Sequence, residues 1–146
     1  MCKLFSFRQT QVVWNVLSAQ QVNTIFEAAG VTCLLFRDDW YWFPDENTWI
    51  EWIKEAVGTT PAYRAITATQ SGFDCDKFAR HLCDHVAIKY LANGCFEVWG
   101  KTPEGEHAWN VIITPSGAFE VEPQNADIWA IGTNPEYEIK TVYHAD

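Results

Sequence analysis

A change of period at Cys95 constrains this chain more than any other feature. Upstream, Phe78, Ala79, Leu82, Cys83, Val86, Ala87 and Tyr90 recur at helical spacing, so that segment is a helix with one apolar face. Downstream, Phe96–Trp99, Ala108–Thr114 and Ala118–Val121 alternate, with turns at Thr102-Pro103-Glu104-Gly105 and Pro115-Ser116-Gly117. Residues 137–143 add a last strand. Helices followed by an antiparallel meander predict an α+β fold, with the long helix packed on the sheet.

The earlier residues read in the same way. Residues 3–17 are β-prone. Ser18 opens a helix with a capping box to Gln21, an apolar face of Val22, Ile25, Phe26 and Ala29, and a stop at Gly30. Residues 31–36 predict a buried strand, and a second helix runs from about Asp45 to Val57. Residues 63–69 predict another strand. The long helix begins at Asp74, a candidate N-cap, and reaches about Leu91, with Asn93-Gly94 ending it. Gly58-Thr59-Thr60-Pro61 is a linker of turn residues. The length of 146 residues nonetheless fits one domain over 1–146, with a helical and aromatic part (1–57) and a second part (62–146).

Eight Trp, nine Phe and five Tyr favour a packed core. Trp40, Tyr41, Trp42, Phe43, Trp49 and Trp52 crowd into one stretch, which reads as core, as a carbohydrate-stacking platform or as a protein interface. The formal charge of −9 argues against nucleic acid and anionic membranes as partners. No apolar stretch has the length of a signal peptide or of a membrane span. Five cysteines without C-x-x-C spacing point to free thiols in a reducing compartment, and the cytoplasm is the expected location.

Chemistry gathers around Cys75. A helix N-terminus favours a thiolate, whereas the flanking Asp74 and Asp76 oppose one. His107 starts one predicted strand, and Glu120 and Glu122 lie on the next. A three-residue turn would pair Thr114 with Ala118 and Asn110 with Glu122, leaving His107 diagonally beyond Glu122. A thiol, an imidazole base and an orienting carboxylate would then converge. His81 and His85 have a zinc-compatible spacing, but with Asp84 as the only near third ligand a solvated helix face is the better explanation.

Asp74-Cys75-Asp76-Lys77-Phe78-Ala79, His107-Ala108-Trp109-Asn110 and Val121-Glu122-Pro123-Gln124 together resemble the papain-like and transglutaminase-like cysteine enzymes. The nearest resemblance is to the C-terminal protease domain of mushroom agglutinins related to the fairy-ring lectin. It covers mainly residues 63–124, with no counterpart of the lectin trefoil. The resemblance implies a papain-like fold in which Cys75 is the nucleophile, His107 the base and Glu122 the orienting carboxylate. Gln70 would be the oxyanion-hole glutamine, one residue short of the usual spacing. Asp74, Asp76 and Glu106 become candidate calcium ligands. The implied function is a hydrolase or acyltransferase that acts on an amide or isopeptide bond of a protein or peptide through an acyl-enzyme. The rival reading is a non-catalytic binding or inhibitor module that uses the Trp40–Trp52 surface.

Overall fold

The computed structural model describes residues 11–32, 36–67, 69–70 and 72–143. Among these, β1 (Asn15–Ser18), α1 (Ala19–Ala28), β2 (Trp40–Phe43), α2 (Glu46–Gly58) and α3 (Cys75–Tyr90) precede five strands. Those are β3 (Cys95–Thr102), β4 (Gly105–Thr114), β5 (Gly117–Glu122), β6 (Asp127–Ala130) and β7 (Glu138–Tyr143). The fold is α+β, with a two-stranded β1–β2 sheet and a five-stranded antiparallel sheet in the order β6-β5-β4-β3-β7.

Local chemistry sets the helix starts. Ser18 and Gln21 form the expected capping box on α1. On α2, Asp45 accepts the N–H of Thr48 at 2.8 Å. α3 differs from expectation: Asp74 sits at the N-cap but makes no capping bond, and its carboxylate turns to Lys77 at 3.2 Å. The helix stops on Leu91 in the left-handed region (φ 60°), not on Asn93-Gly94. Asn93 instead fastens β2, accepting the Trp42 N–H at 2.6 Å and donating to the Trp40 carbonyl at 2.9 Å.

α3 packs across β3 and β4. Leu82, Val86, Phe96, Val98, Ile112 and Ile113 are buried together, each contributing on the order of 2 kcal/mol. Trp49 joins them and donates its indole N–H to the Ile113 carbonyl at 2.8 Å. Between helix and sheet, Asn110 donates to the Ala79 carbonyl at 2.8 Å and the Phe96 carbonyl at 3.3 Å.

Several expectations need correction. The β4–β5 turn has two loop residues, because Thr114 pairs with Gly117, whose φ of 124° only glycine adopts readily. Asn110 therefore lies opposite Val121, not Glu122. A slip of one residue exchanges faces, so Glu120 and Glu122 share their face with Val111, Trp109 and His107. The described residues of 63–69 form no strand; the segment carries single bridges, Arg64 to Phe73 and Thr67 to Gln70. Gly72 makes this possible, since a Cβ there would lie 2.0 Å from the Arg64 carbonyl oxygen. β6 was not anticipated. Of the predicted 31–36 strand, residues 33–35 lie outside the described residues and the rest is not strand. Residues 3–10 also lie outside them, and within 11–17 the strand begins only at Asn15.

Candidate functional site

Pairing between β4 and β5 runs only as far as Asn110 and Val121, while β4 itself begins at Gly105. The first part of β4, paired with β3 (Gly100 with His107) but not with β5, carries His107. The start of α3 brings Cys75 to it, and the end of β5 brings Glu122. These three side chains line one cleft of about 490 Å³, together with Tyr63, Glu106 and Tyr137. Imidazole Nε2 lies 2.7 Å from Glu122 Oε2. The same oxygen accepts the Tyr137 hydroxyl at 3.1 Å, and Oε1 accepts the Gln124 N–H at 3.1 Å. Trp109 stacks on His107, with ring centroids 5.8 Å apart and planes 19° apart. Its indole N–H is held by buried Glu120 at 2.7 Å, which also accepts the Gly132 N–H at 2.9 Å.

These contacts set the charges. Hydrogen bonding to His107 lowers the Cys75 pKa against the opposing effect of burial, and the Ala108 N–H lowers it further. Burial alone would depress His107. Its hydrogen bonds and charge interactions with Cys75 and Glu122 outweigh that and raise its pKa to about 9. The thiol is thus biased toward thiolate and the imidazole toward imidazolium. Burial, followed by the charge of Glu122, pushes the Tyr137 phenol well up, so it stays a donor. Asp74 and Asp76 interact, which lowers Asp74 and raises Asp76, and the charge of Asp76 opposes the thiolate weakly beside the larger effect of His107.

Other sequence-predicted residues do not join this group. Gln70 is exposed and does not line the cleft. Glu106 lines it, but Asp74 and Asp76 do not. Among the described residues no group of three or more His, Cys, Asp or Glu side chains is placed to hold a metal. His81 bonds the Thr59 hydroxyl at 3.0 Å, and His85 bonds Glu55, not Asp84, at 3.1 Å. Tyr137, Trp109 and Tyr63 went unrecognised in the sequence. Only the return of β7 to the far side of the sheet brings Tyr137 near Glu122, and nothing local signals it.

A second candidate lies on the β1–β2 sheet. Val16 pairs with Trp42 and Ser18 with Trp40, so the two indoles share one face, while Tyr41 and Phe43 point into the core. Trp40 is 58% exposed, Trp42 48% and Trp14 39%. Trp14, Trp42, Tyr90 and Leu91 line a groove of about 360 Å³. Tyr90 is fixed there by stacking on Trp52 at 4.0 Å. The Trp40–Trp52 stretch thus divides: Trp49 and Trp52 are core, and Trp40 and Trp42 are surface.

No protein-family model matches the chain. No curated protein sequence matches it significantly. Solved structures do. A PSL1a–E64 complex matches with a TM-score of 0.65 and 22% identity over 87% of this chain and 50% of its own. Polyporus squamosus lectin bound to a human-type influenza-binding epitope, Neu5Aca2-6Galb1-4GlcNAc, matches with a TM-score of 0.68 and 22% identity, over 87% of this chain and 49% of its own. The chain spans about half the length of these structures, and at this identity the likeness carries the fold alone. The resemblance to a cysteine-protease domain is corrected by these matches, which are to lectin structures. The expected hydrolase or acyltransferase function falls with it, and the matches lend no support to a protein or peptide substrate. Neither match supports calcium or a cytoplasmic location. No helix among the described residues is long and apolar enough to cross a membrane.

Proposed function

We propose that this chain is a non-catalytic binding module whose ligand is a carbohydrate, received on the aromatic face formed by Trp14, Trp40 and Trp42. The observation that carries the reading is three exposed indoles, of which Trp14 and Trp42 line one shallow apolar groove and Trp40 shares the strand face of Trp42. Large aromatic surface left in water is unfavourable, and a contiguous patch of it marks an interaction site. A pyranose ring presents a face of C–H groups that stacks on an indole while its hydroxyls stay hydrated. Ligand binding by a structural neighbour points the same way, since Polyporus squamosus lectin is described with a bound sialylated trisaccharide. In this reading the Cys75–His107–Glu122 chain is a charged fastening between α3, β4 and β5.

Binding of wild-type protein to an immobilised glycan panel, followed by titration of the best glycan with tryptophan fluorescence as readout, tests the proposal. Trp40→Ala and Trp42→Ala should each weaken binding about tenfold or more, the equivalent of ~1.4 kcal/mol. Cys75→Ala should bind as wild type does. A panel that retains nothing would refute the carbohydrate ligand. Binding that survives both Trp substitutions but is lost in Cys75→Ala would refute the placement.

A further inference from the structure

Cys83 and Cys95 lie outside both sites, and neither the fastening nor the aromatic face uses them. Cys83 is in the middle of α3 and Cys95 opens β3; both are 3% exposed. Their sulfurs are 3.5 Å apart. The Asn110 amide donates to both, at 3.3 Å to Cys83 and 3.8 Å to Cys95. Its carbonyl oxygen is buried without a hydrogen-bond partner. The same amide also bonds the Ala79 and Phe96 carbonyls, so the two thiols sit at a polar point of the core rather than among apolar side chains alone.

We propose that Cys83 and Cys95 are a redox couple whose disulfide staples α3 to β3 and pins the segment between them. That segment carries Tyr90 and Leu91 of the aromatic groove, and Asn93, which fastens β2. The couple does not depend on the ligand assigned to that groove. Sulfurs already in contact need only a small approach to reach the bond length of about 2.0 Å. The oxidant is a low-molecular-weight disulfide. One cysteine thiolate attacks it, forming a mixed disulfide and releasing one thiolate; the second cysteine thiolate then displaces the other half. Two protein thiols are oxidised, one small disulfide is reduced to two thiols, and the two cysteine protons pass to the released thiolates. The hydrogen-bonded Cys95 sulfur, followed by burial, pushes the Cys83 thiol up, so the couple reacts slowly once folded and closes most readily as the chain folds.

The test refolds the full reduced chain in glutathione buffers of graded ratio, traps thiols with N-ethylmaleimide and maps peptides. The expected result is a Cys83–Cys95 link as the dominant disulfide, with Cys75 alkylated. A rise in melting temperature of roughly 5–10 °C over the reduced protein should accompany it. Cys95→Ala should show neither. Natively purified protein titrated with diamide and mapped in the same way gives a second readout that needs no refolding. Both cysteines alkylated at every ratio in folded protein, a dominant link elsewhere, or a lowered melting temperature would overturn the proposal.

Discussion

Replacing Glu122 with Gln removes one negative charge from the fastening and little else. The amide oxygen can still accept from Tyr137 and from the Gln124 N–H, so packing is preserved. The His107 pKa of about 9, against 6.5 for an ordinary imidazole, makes the folded state hold a proton that the unfolded chain gives up. That gap is worth ~3 kcal/mol in total. The stabilisation is fully present below pH 6.5 and is lost as pH rises through 9. Burial depresses the imidazolium; against it, the largest support comes from Cys75, with Glu122 next. We therefore assign Glu122 ~1–1.5 kcal/mol of the total. His107 is only 15% exposed at its side chain, so solvent screening takes little from this figure. Urea unfolding of wild type and Glu122→Gln under reducing conditions should show the variant less stable by that amount at pH 6, with the difference vanishing by about pH 10. Thiol ionisation contributes to both proteins and largely cancels. A difference that does not change with pH, or a variant more stable at pH 6, would refute the ion-pair account.

Three further outcomes are expected. Iodoacetamide at pH 7 should modify Cys75 at least about tenfold faster than buried Cys83 or Cys95, and His107→Ala should slow Cys75 alone; time-resolved peptide mapping reads this directly. Gly100→Ala should destabilise by about 2–3 kcal/mol in urea unfolding, because its Cβ would lie 2.0 Å from the Glu138 carbonyl oxygen and 2.6 Å from the Trp109 ring. Ser18→Ala should cost about 1 kcal/mol through loss of the α1 capping box, seen as a lower urea midpoint with an unchanged slope.

The three helices were legible because their caps and apolar spacing are local signals. Ser18, Asp45 and the Leu82–Val86 face declare themselves without tertiary help. Three of the meander strands were legible for the same reason. Register was not, since whether Gly117 belongs to the turn or to the strand decides it, and one residue moves Glu122 to the opposite face. Residues 63–69 are β-prone, but the close approach of Gly72 to Arg64 is a tertiary fact that no window of sequence contains. In the cleft, Cys75, His107 and Glu122 were legible as residue types at strand and helix ends. The Tyr137 donor and the Glu120–Trp109 support depend on strand order. The aromatic stretch was visible as a cluster, but the pairing of Val16 with Trp42 decides which indoles face water.

The position of β7 bears on the order in which the molecule assembles. β3, β4, β5 and β6 are joined in sequence as neighbouring hairpins, whereas β7 must cross back over the whole meander to pair Tyr143 with Glu97 and Glu138 with Lys101. Closing so long a loop costs entropy before any contact repays it, so β7 docks late in folding and opens early from the native state. Tyr137 immediately precedes β7 and donates to Glu122. Fraying of that last strand therefore removes one wall of the cleft while the meander stays intact. Amide exchange in 138–143 should consequently be the fastest of the five-stranded sheet, and its rate sets how often Glu122 loses the Tyr137 donor.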